Sequence, residues 1–313
     1  MSLFAVNGPV VGIQLPIQSQ STAYADQWES DAGIGELTRV ARAADESGFG
    51  YVAVCDHVAI PREKAAAMST QWWDTIATLG YLAGITERVR LLSHVAVVAY
   101  RHPLITAKAW STLDVLSGGR AILGVGAGHV EAEFEALGAE FSRRGRDLDE
   151  AIDALRQCFT SEYPSHHGRR WSFDELGQQP RPVQPGGPPI WIGGSSPAAI
   201  RRAAQRGDGW LPQGPLTAEL VAEIARVRHD AGRSELPFAV GALAGPVHVG
   251  SPSWDLGGPA ISGEPGKVAH ILGKLADLGA DQIQVRFPSR DVEEAEHQIR
   301  RFGTEVLPLL AGG

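Results

Sequence analysis

The chain has 313 residues and a net charge of −8, from 28 Lys and Arg against 36 Asp and Glu. That acidic balance excludes nucleic acid as the main partner, because binding to a phosphate backbone needs a basic face. Cys55 and Cys158 are the only cysteines, which excludes a disulfide framework and a paired-cysteine metal site.

Short β-rich runs alternate with longer amphipathic segments along the chain. The first strand is predicted at 10–15 (VVGIQL), followed by a helix over 35–47 that ends at Gly48. A strand at 50–55 and a helix at 73–86 come next, then a strand at 90–98 and a helix at 104–116. The pattern continues with strand 121–126, helix 143–159, strand 189–193, helix 197–206, strand 208–212 and helix 217–231. It closes with strand 238–248, helix 266–278, strand 281–287 and helix 292–307. Several strands are nearly continuous apolar runs, as in parallel strands buried on both faces. Strict alternation of eight strands and eight helices implies a (β/α)8 TIM barrel, with residues 1–313 as a single domain. An open doubly wound sheet would carry a Gly-rich phosphate turn after its first strand; Gln14-Leu15-Pro16 stands there instead.

Two stretches interrupt this spacing, an insertion at 127–188 and a loop at 249–265 (VGSPSWDLGGPAISGEP). Both are expected at the C-terminal face of the barrel, where active sites are built. The N-terminus lacks a basic segment followed by an apolar run, and no apolar stretch approaches the roughly 20 residues of a membrane span. A cytoplasmic protein without a membrane partner is the expectation.

Candidate functional residues cluster at strand ends. Asp56 and His57 follow the second strand. Histidine titrates near neutral pH, so His57 is suited to general acid or base work, with a neighbouring carboxylate to set its tautomer. His94 lies within the apolar third strand, either as a hydrogen-bonded core group or beside a ligand. Gly124-Val125-Gly126-Ala127-Gly128-His129 closes the fourth strand. Its spacing is wrong for a dinucleotide fingerprint, and a flat ring lying against bare backbone fits it better. Gly193-Gly194-Ser195-Ser196-Pro197 opens a helix, either as an anion site at the helix N-terminus or as a capping turn. Lys267 and Arg286 are candidates for an anionic ligand group or plain solvated charges. His166-His167 has no ligand spacing that supports a metal, so none is expected. Trp254, in the second long loop, is placed to cover a ring.

Several stretches together resemble the luciferase-like superfamily of flavin and deazaflavin oxidoreductases. They are CDHV at 55–58, the run from 91 to 138 that contains RHP, SGGR and LGVGAG, PIWIGGSSPAAIRRAAQRGDGW at 189–210, and GADQIQVRF at 279–287. The resemblance implies a barrel, usually dimeric, with an isoalloxazine-type ring in its C-terminal mouth. It implies a strand-three bulge with a non-prolyl cis peptide behind the ring, here Ser93-His94-Val95. It places the cofactor tail near Ala127, Gly128, Gly193, Gly194 and Ser195. It makes His57 an acid/base, with Asp56 beside it. Two positions depart from the family pattern. The bulge reads Leu92-Ser93-His94-Val95 where relatives often have Gly-Thr-x-Val, and His129 stands where dehydrogenase relatives carry Glu. His57, His94 and His129 are therefore all candidate proton donors.

Three functional readings follow from the resemblance. The favoured one is hydride transfer between coenzyme F420, a deazaflavin, and a small organic substrate. The second is a two-component monooxygenase that uses reduced FMN from a separate reductase. The third is a barrel that binds a flavin without catalysis.

Overall fold

The computed structural model describes residues 8–311. Eight parallel strands close into a barrel: β1 (Val10–Gln14), β2 (Tyr51–Val54), β3 (Arg90–Ser93), β4 (Ala121–Val125), β5 (Ile190–Gly193), β6 (Gly209–Leu211), β7 (Ala239–Val249) and β8 (Gln282–Arg286). Each strand pairs with the next, and β1 also pairs with β8, with Val10 opposite Gln282. Eight helices surround it: α1 (Ile34–Glu46), α2 (Thr75–Ile85), α3 (Pro103–Leu116), α4 (Arg144–Thr160), α5 (Pro197–Arg206), α6 (Ala218–Asp230), α7 (Pro265–Asp277) and α8 (Val292–Glu305). The chain is thus the predicted (β/α)8 barrel.

The sequence sets the helix starts by capping. Asp74, Ser196 and Asp291 each accept a backbone N–H from the first turn of α2, α5 and α8. Pro103, Pro197 and Pro265 occupy first-turn positions, where the missing N–H costs nothing.

Inside the barrel, Tyr51, Ala53, Leu92, Ile122, Trp191, Leu211 and Ala239 form a cluster of their own. Large and small residues alternate around it. A side chain at Gly12 would strike the Tyr51 ring, and one at Gly209 would strike Trp191. The two rings meet edge to face with centroids 5.9 Å apart, which plugs the lower barrel.

The third strand is shorter than its apolar run predicts. Regular pairing stops at Ser93, the His94–Val95 peptide is cis, and Ala96 then bridges to Val125. A 3-10 turn at Val98–Tyr100 leads into α3. Hydrophobicity alone cannot separate a buried strand from a buried bulge, because both exclude water.

The first long stretch divides in two. Residues 127–143 do rise from the C-terminal end of β4, but 161–188 follow α4 and return to the start of β5. They are fastened low on the barrel: the Asp114 carboxylate, in the last turn of α3, accepts Val183 N and Gln184 N at 2.8 and 2.9 Å. The 249–265 loop folds onto α8, where Trp254 donates its indole N–H to Glu294 at 3.0 Å. Trp254 therefore anchors the loop to α8. No helix among the described residues is long and apolar enough to cross a membrane.

Candidate active site

The C-terminal mouth gathers the loops after β2, β3, β4 and β5. His57 emerges directly after β2, and its Nδ1 lies 3.1 Å from Glu133 Oε2. Glu133 sits on a short helix, Glu131–Ala136, above β4. Its other oxygen accepts the N–H groups of Val58 and Ala59 at 2.5 and 3.1 Å. The Glu133 carboxyl is buried, which alone would raise its pKa. The His57 bond and the two N–H groups outweigh that and hold the pKa below the ordinary value. An ionised carboxylate only accepts, so His57 Nδ1 donates, and in the neutral ring the lone pair is the one on Nε2. The ring is held edge-on against Trp72 and His129, with centroids 4.5 and 5.4 Å away. A histidine, an orienting carboxylate and a fixed ring plane are an arrangement that general acid or base work can use.

His129, exposed at the rim, is the second candidate brought to this place. Partial burial, and then the charges of His57 and Lys64, lower its pKa.

Asp56 does not serve His57. Its buried carboxylate takes both Nη1 and Nη2 of Arg101 at 2.5 and 2.8 Å, Val97 N at 2.8 Å and the Thr75 hydroxyl at 3.0 Å. Both oxygens are committed to bracing the chain beyond the strand-three bulge. Sequence adjacency pairs His57 with Asp56, and the fold instead supplies a carboxylate from a different loop.

The glycines after β4 and β5 also have a different occupant. A side chain at Gly124 would collide with the Ser93 carbonyl, one at Gly126 would meet Val95 Cγ2 at 2.5 Å, and one at Gly193 would meet Val95 Cγ1 at 2.7 Å. They make room for the bulge of the neighbouring strand. Gly128, with φ +78°, turns the chain above Phe134 and Val97. Ala127 beside it is half-buried. Ser195 donates its hydroxyl to Gln213 O at 2.7 Å and accepts Gln213 N at 2.8 Å, tying the β5 loop to the β6 loop. Gly194, at φ +110°, permits that turn, and its carbonyl accepts the Trp210 indole at 2.8 Å.

His94 reaches inward across the barrel. Gln284 Nε2 lies 2.8 Å from His94 Nδ1 and 3.0 Å from Gln14 Oε1. Burial pushes the His94 pKa down to about 4, so the ring is neutral at physiological pH. A histidine whose folded pKa lies below its unfolded value stabilises the fold above about pH 6.5 and loses that contribution as pH falls through 4. The shift sets a ceiling of about 3 kcal/mol. Urea titrations at pH 7 and pH 4.5 are expected to show an acid loss of stability that is smaller in His94→Asn; an equal loss in both would assign the acid sensitivity elsewhere.

Arg286 donates to the Tyr24 carbonyl at 3.0 Å, and the Lys267 side chain packs against Gly263. His166 and His167 lie on a two-residue strand paired with Ser172–Phe173. No group of three or more His, Cys, Asp or Glu side chains among the described residues is placed to hold a metal ion. Glu133 and Gln14 carry no motif that singles them out in the sequence, and Arg101 and Gln284 lie in the RHP and GADQIQVRF stretches without a role that the sequence assigns to them. Glu133 is one of three alternating glutamates in EAEFEA, with nothing to mark which one faces the barrel. Gln284 does leave a signal: Gln282 and Gln284 alternate with Ile283 and Val285, which turns two amides toward one face of a buried strand.

Comparison with known proteins bears on this arrangement. An uncharacterised protein of Mycobacterium tuberculosis is 31% identical over 216 residues, covering 64% of this chain and 74% of its own. The F420-dependent hydroxymycolic acid dehydrogenase of the same organism is 34% identical over 203 residues, covering 63% of this chain and 54% of its own. The crystal structure of monooxygenase RslO1 from Streptomyces bottropensis superposes with a TM-score of 0.77 at 21% identity, covering 96% of this chain and 99% of that one. The family model for luciferase-like monooxygenases matches residues 10–256, a span that runs from β1 past the end of β7 and takes in the bulge, the His57–Glu133 pair and the glycine-lined strands. The chain accordingly belongs to the luciferase-like monooxygenase family of oxidoreductases.

Proposed function

We propose that this protein transfers a hydride between coenzyme F420 and a small organic substrate, with His57 moving the accompanying proton. The observation that carries the reading is the His57–Glu133 pair at the barrel mouth. A histidine oriented by a buried carboxylate at the mouth favours this reading over a binder without catalysis. The preference for F420 draws on the F420-dependent hydroxymycolic acid dehydrogenase among the relatives.

The chain's own residues suit a flat tricyclic ring. Val95, seated in the gap left by Gly126 and Gly193, offers an apolar surface at the mouth. His94 adds a neutral polar group beside it. Ala127, Gly128, Gly193, Gly194 and Ser195 would lie along the tail. Ser195 would contribute backbone there, because its hydroxyl is already engaged by Gln213. The deazaflavin supplies hydride chemistry when bound. The barrel holds and orients the ring, and His57 Nε2 accepts or returns a proton on the substrate. Its tautomer is fixed by Glu133 throughout.

Anaerobic titration with F420 and with FMN, each oxidised and reduced, tests the cofactor. Tight F420 binding with weak FMN binding is the expected result. The reverse preference would move the chain to the two-component monooxygenase reading, with a separate reductase as partner and oxygen consumption as the next assay. A homodimer belongs to the same proposal: Ile105 and Leu116 on α3 are 71% and 64% exposed. Sedimentation equilibrium of the purified chain decides it.

A further inference from the structure

A line of polar side chains crosses the barrel from the end of β2 to the strand-three bulge. Gln14 Nε2 reaches Cys55 Sγ at 3.2 Å, Gln284 Nε2 donates to Gln14 Oε1 at 3.0 Å, and the same nitrogen lies 2.8 Å from His94 Nδ1. Gln18 closes the far end, accepting Cys55 N at 3.0 Å. We infer that Gln284, oriented by Gln14, holds His94 as the neutral tautomer protonated at Nε2, so that the bulge offers a fixed N–H donor to an acceptor atom of the bound ligand. The second half rests on the reading of the mouth as a cofactor site; the first half does not.

The argument is one of donor and acceptor counting. A primary amide has two N–H donors on one side and an acceptor oxygen on the other. With Gln284 Nε2 turned toward His94 and Gln14, both of its hydrogens are used, and His94 Nδ1 must accept. The ring proton then resides on Nε2. This leaves Gln284 Oε1, on a residue only 6% exposed, without a protein donor.

The opposite register rotates both amides. Cys55 would donate its S–H to Gln14 Oε1, and Gln14 Nε2 and His94 Nδ1 would both donate to Gln284 Oε1. The number of bonds is the same, but the Gln284 amide nitrogen, with two hydrogens, would be stranded in the interior. Orphaned buried N–H groups are rarer than under-satisfied carbonyl oxygens. One bare oxygen is therefore preferred to two bare N–H groups, and Gln14 acts by presenting its oxygen, not its nitrogen, to Gln284. Gln284 and Gln14 are positioning residues, since they act through His94.

Long-range nitrogen–proton correlation spectra of histidine-labelled protein read the tautomer directly, without any ligand. The wild-type spectrum is expected to show His94 protonated at Nε2 from pH 6 to pH 8. Protonation at Nδ1 in the wild type overturns the inference. Gln284→Leu is expected to release the ring into a tautomer mixture, and Gln284→Glu to move the proton to Nδ1, because a carboxylate there can only accept. A His94 signal unchanged by both substitutions would also overturn it. The donor role is read by titrating the same variants with FMN and with F420. Gln284→Glu, which moves the proton off Nε2, should weaken whichever one the wild type binds by about fivefold, the worth of one neutral hydrogen bond, and Gln284→Leu by less. An unchanged dissociation constant would remove the ligand half. If neither cofactor binds the wild type, the proposed function fails, while the spectra still decide the tautomer.

Discussion

Replacing His57 by alanine is expected to lower kcat/KM by roughly 10²–10⁴, the usual contribution of a positioned general acid or base. Cofactor binding should stay within a few-fold, because the ring-facing surface assigned to Val95 and His94 comes from a different strand. Glu133→Gln is the sharper test. The Gln side-chain oxygen can still accept Val58 N and Ala59 N, so the loop keeps its anchor. Its amide nitrogen would then face His57 Nδ1 as a donor. That inverts the tautomer, puts the proton on Nε2 and removes the lone pair that would take a substrate proton. Turnover should fall by at least roughly 10² with near-normal stability, since orientation of the base is what the carboxylate supplies. Steady-state kinetics with the cofactor preferred in the titrations would measure both variants. If His57→Ala retains turnover within a few-fold while binding is intact, the proton passes through another group, with His129 the nearest alternative. The pH profile adds a check that structural damage would not imitate. The limb belonging to the His57–Glu133 pair should vanish in His57→Ala and shift in Glu133→Gln.

What is legible in the sequence follows a physical division. Strand and helix placement, barrel closure and the mouth as the working face all come from period, caps and alternation, and each of these is local. The His94–Val95 bulge is reached through resemblance, not through hydropathy, which reads 90–98 as one strand. The orienting carboxylate escapes for a related reason. Asp56 is adjacent to His57 in sequence, but consecutive residues at a strand end point to opposite sides. Asp56 thus turns toward Arg101 and Thr75 while His57 turns toward the short helix above β4. Glycine carries two meanings that sequence cannot separate, an approach for a ligand or an approach for another backbone. At Gly124, Gly126 and Gly193 the neighbouring bulge takes the space. The polar chain through Gln14 and Gln284 is visible only as a period-two pattern, and its partner His94 lies 190 residues away in sequence.

Asp56→Ala separates scaffold from chemistry. The Asp56 carboxylate is 1% exposed and its Arg101 partner 27%. Removing one member of such a pair leaves the other charge without its counter-ion, and it strips the acceptor from Val97 N, while the Thr75 hydroxyl keeps the Cys55 carbonyl at 2.7 Å. Fully buried pairs broken in this way cost roughly 3–5 kcal/mol, and the partial exposure of Arg101 places the expectation near the lower end, about 3 kcal/mol. Chemical denaturation should show this as a lower midpoint with an unchanged slope. Asp56→Asn keeps one acceptor oxygen and should lose less. Both variants, assayed where they are folded, should keep the wild-type pH profile, because the carboxylate that sets the tautomer of His57 is Glu133. A change in that profile comparable to Glu133→Gln would return Asp56 to the chemistry and make the Arg101 pair part of the proton path. A stability loss with an unchanged profile would fix its role as the brace of the chain beyond the bulge, and would explain why a charged residue is buried one position before His57.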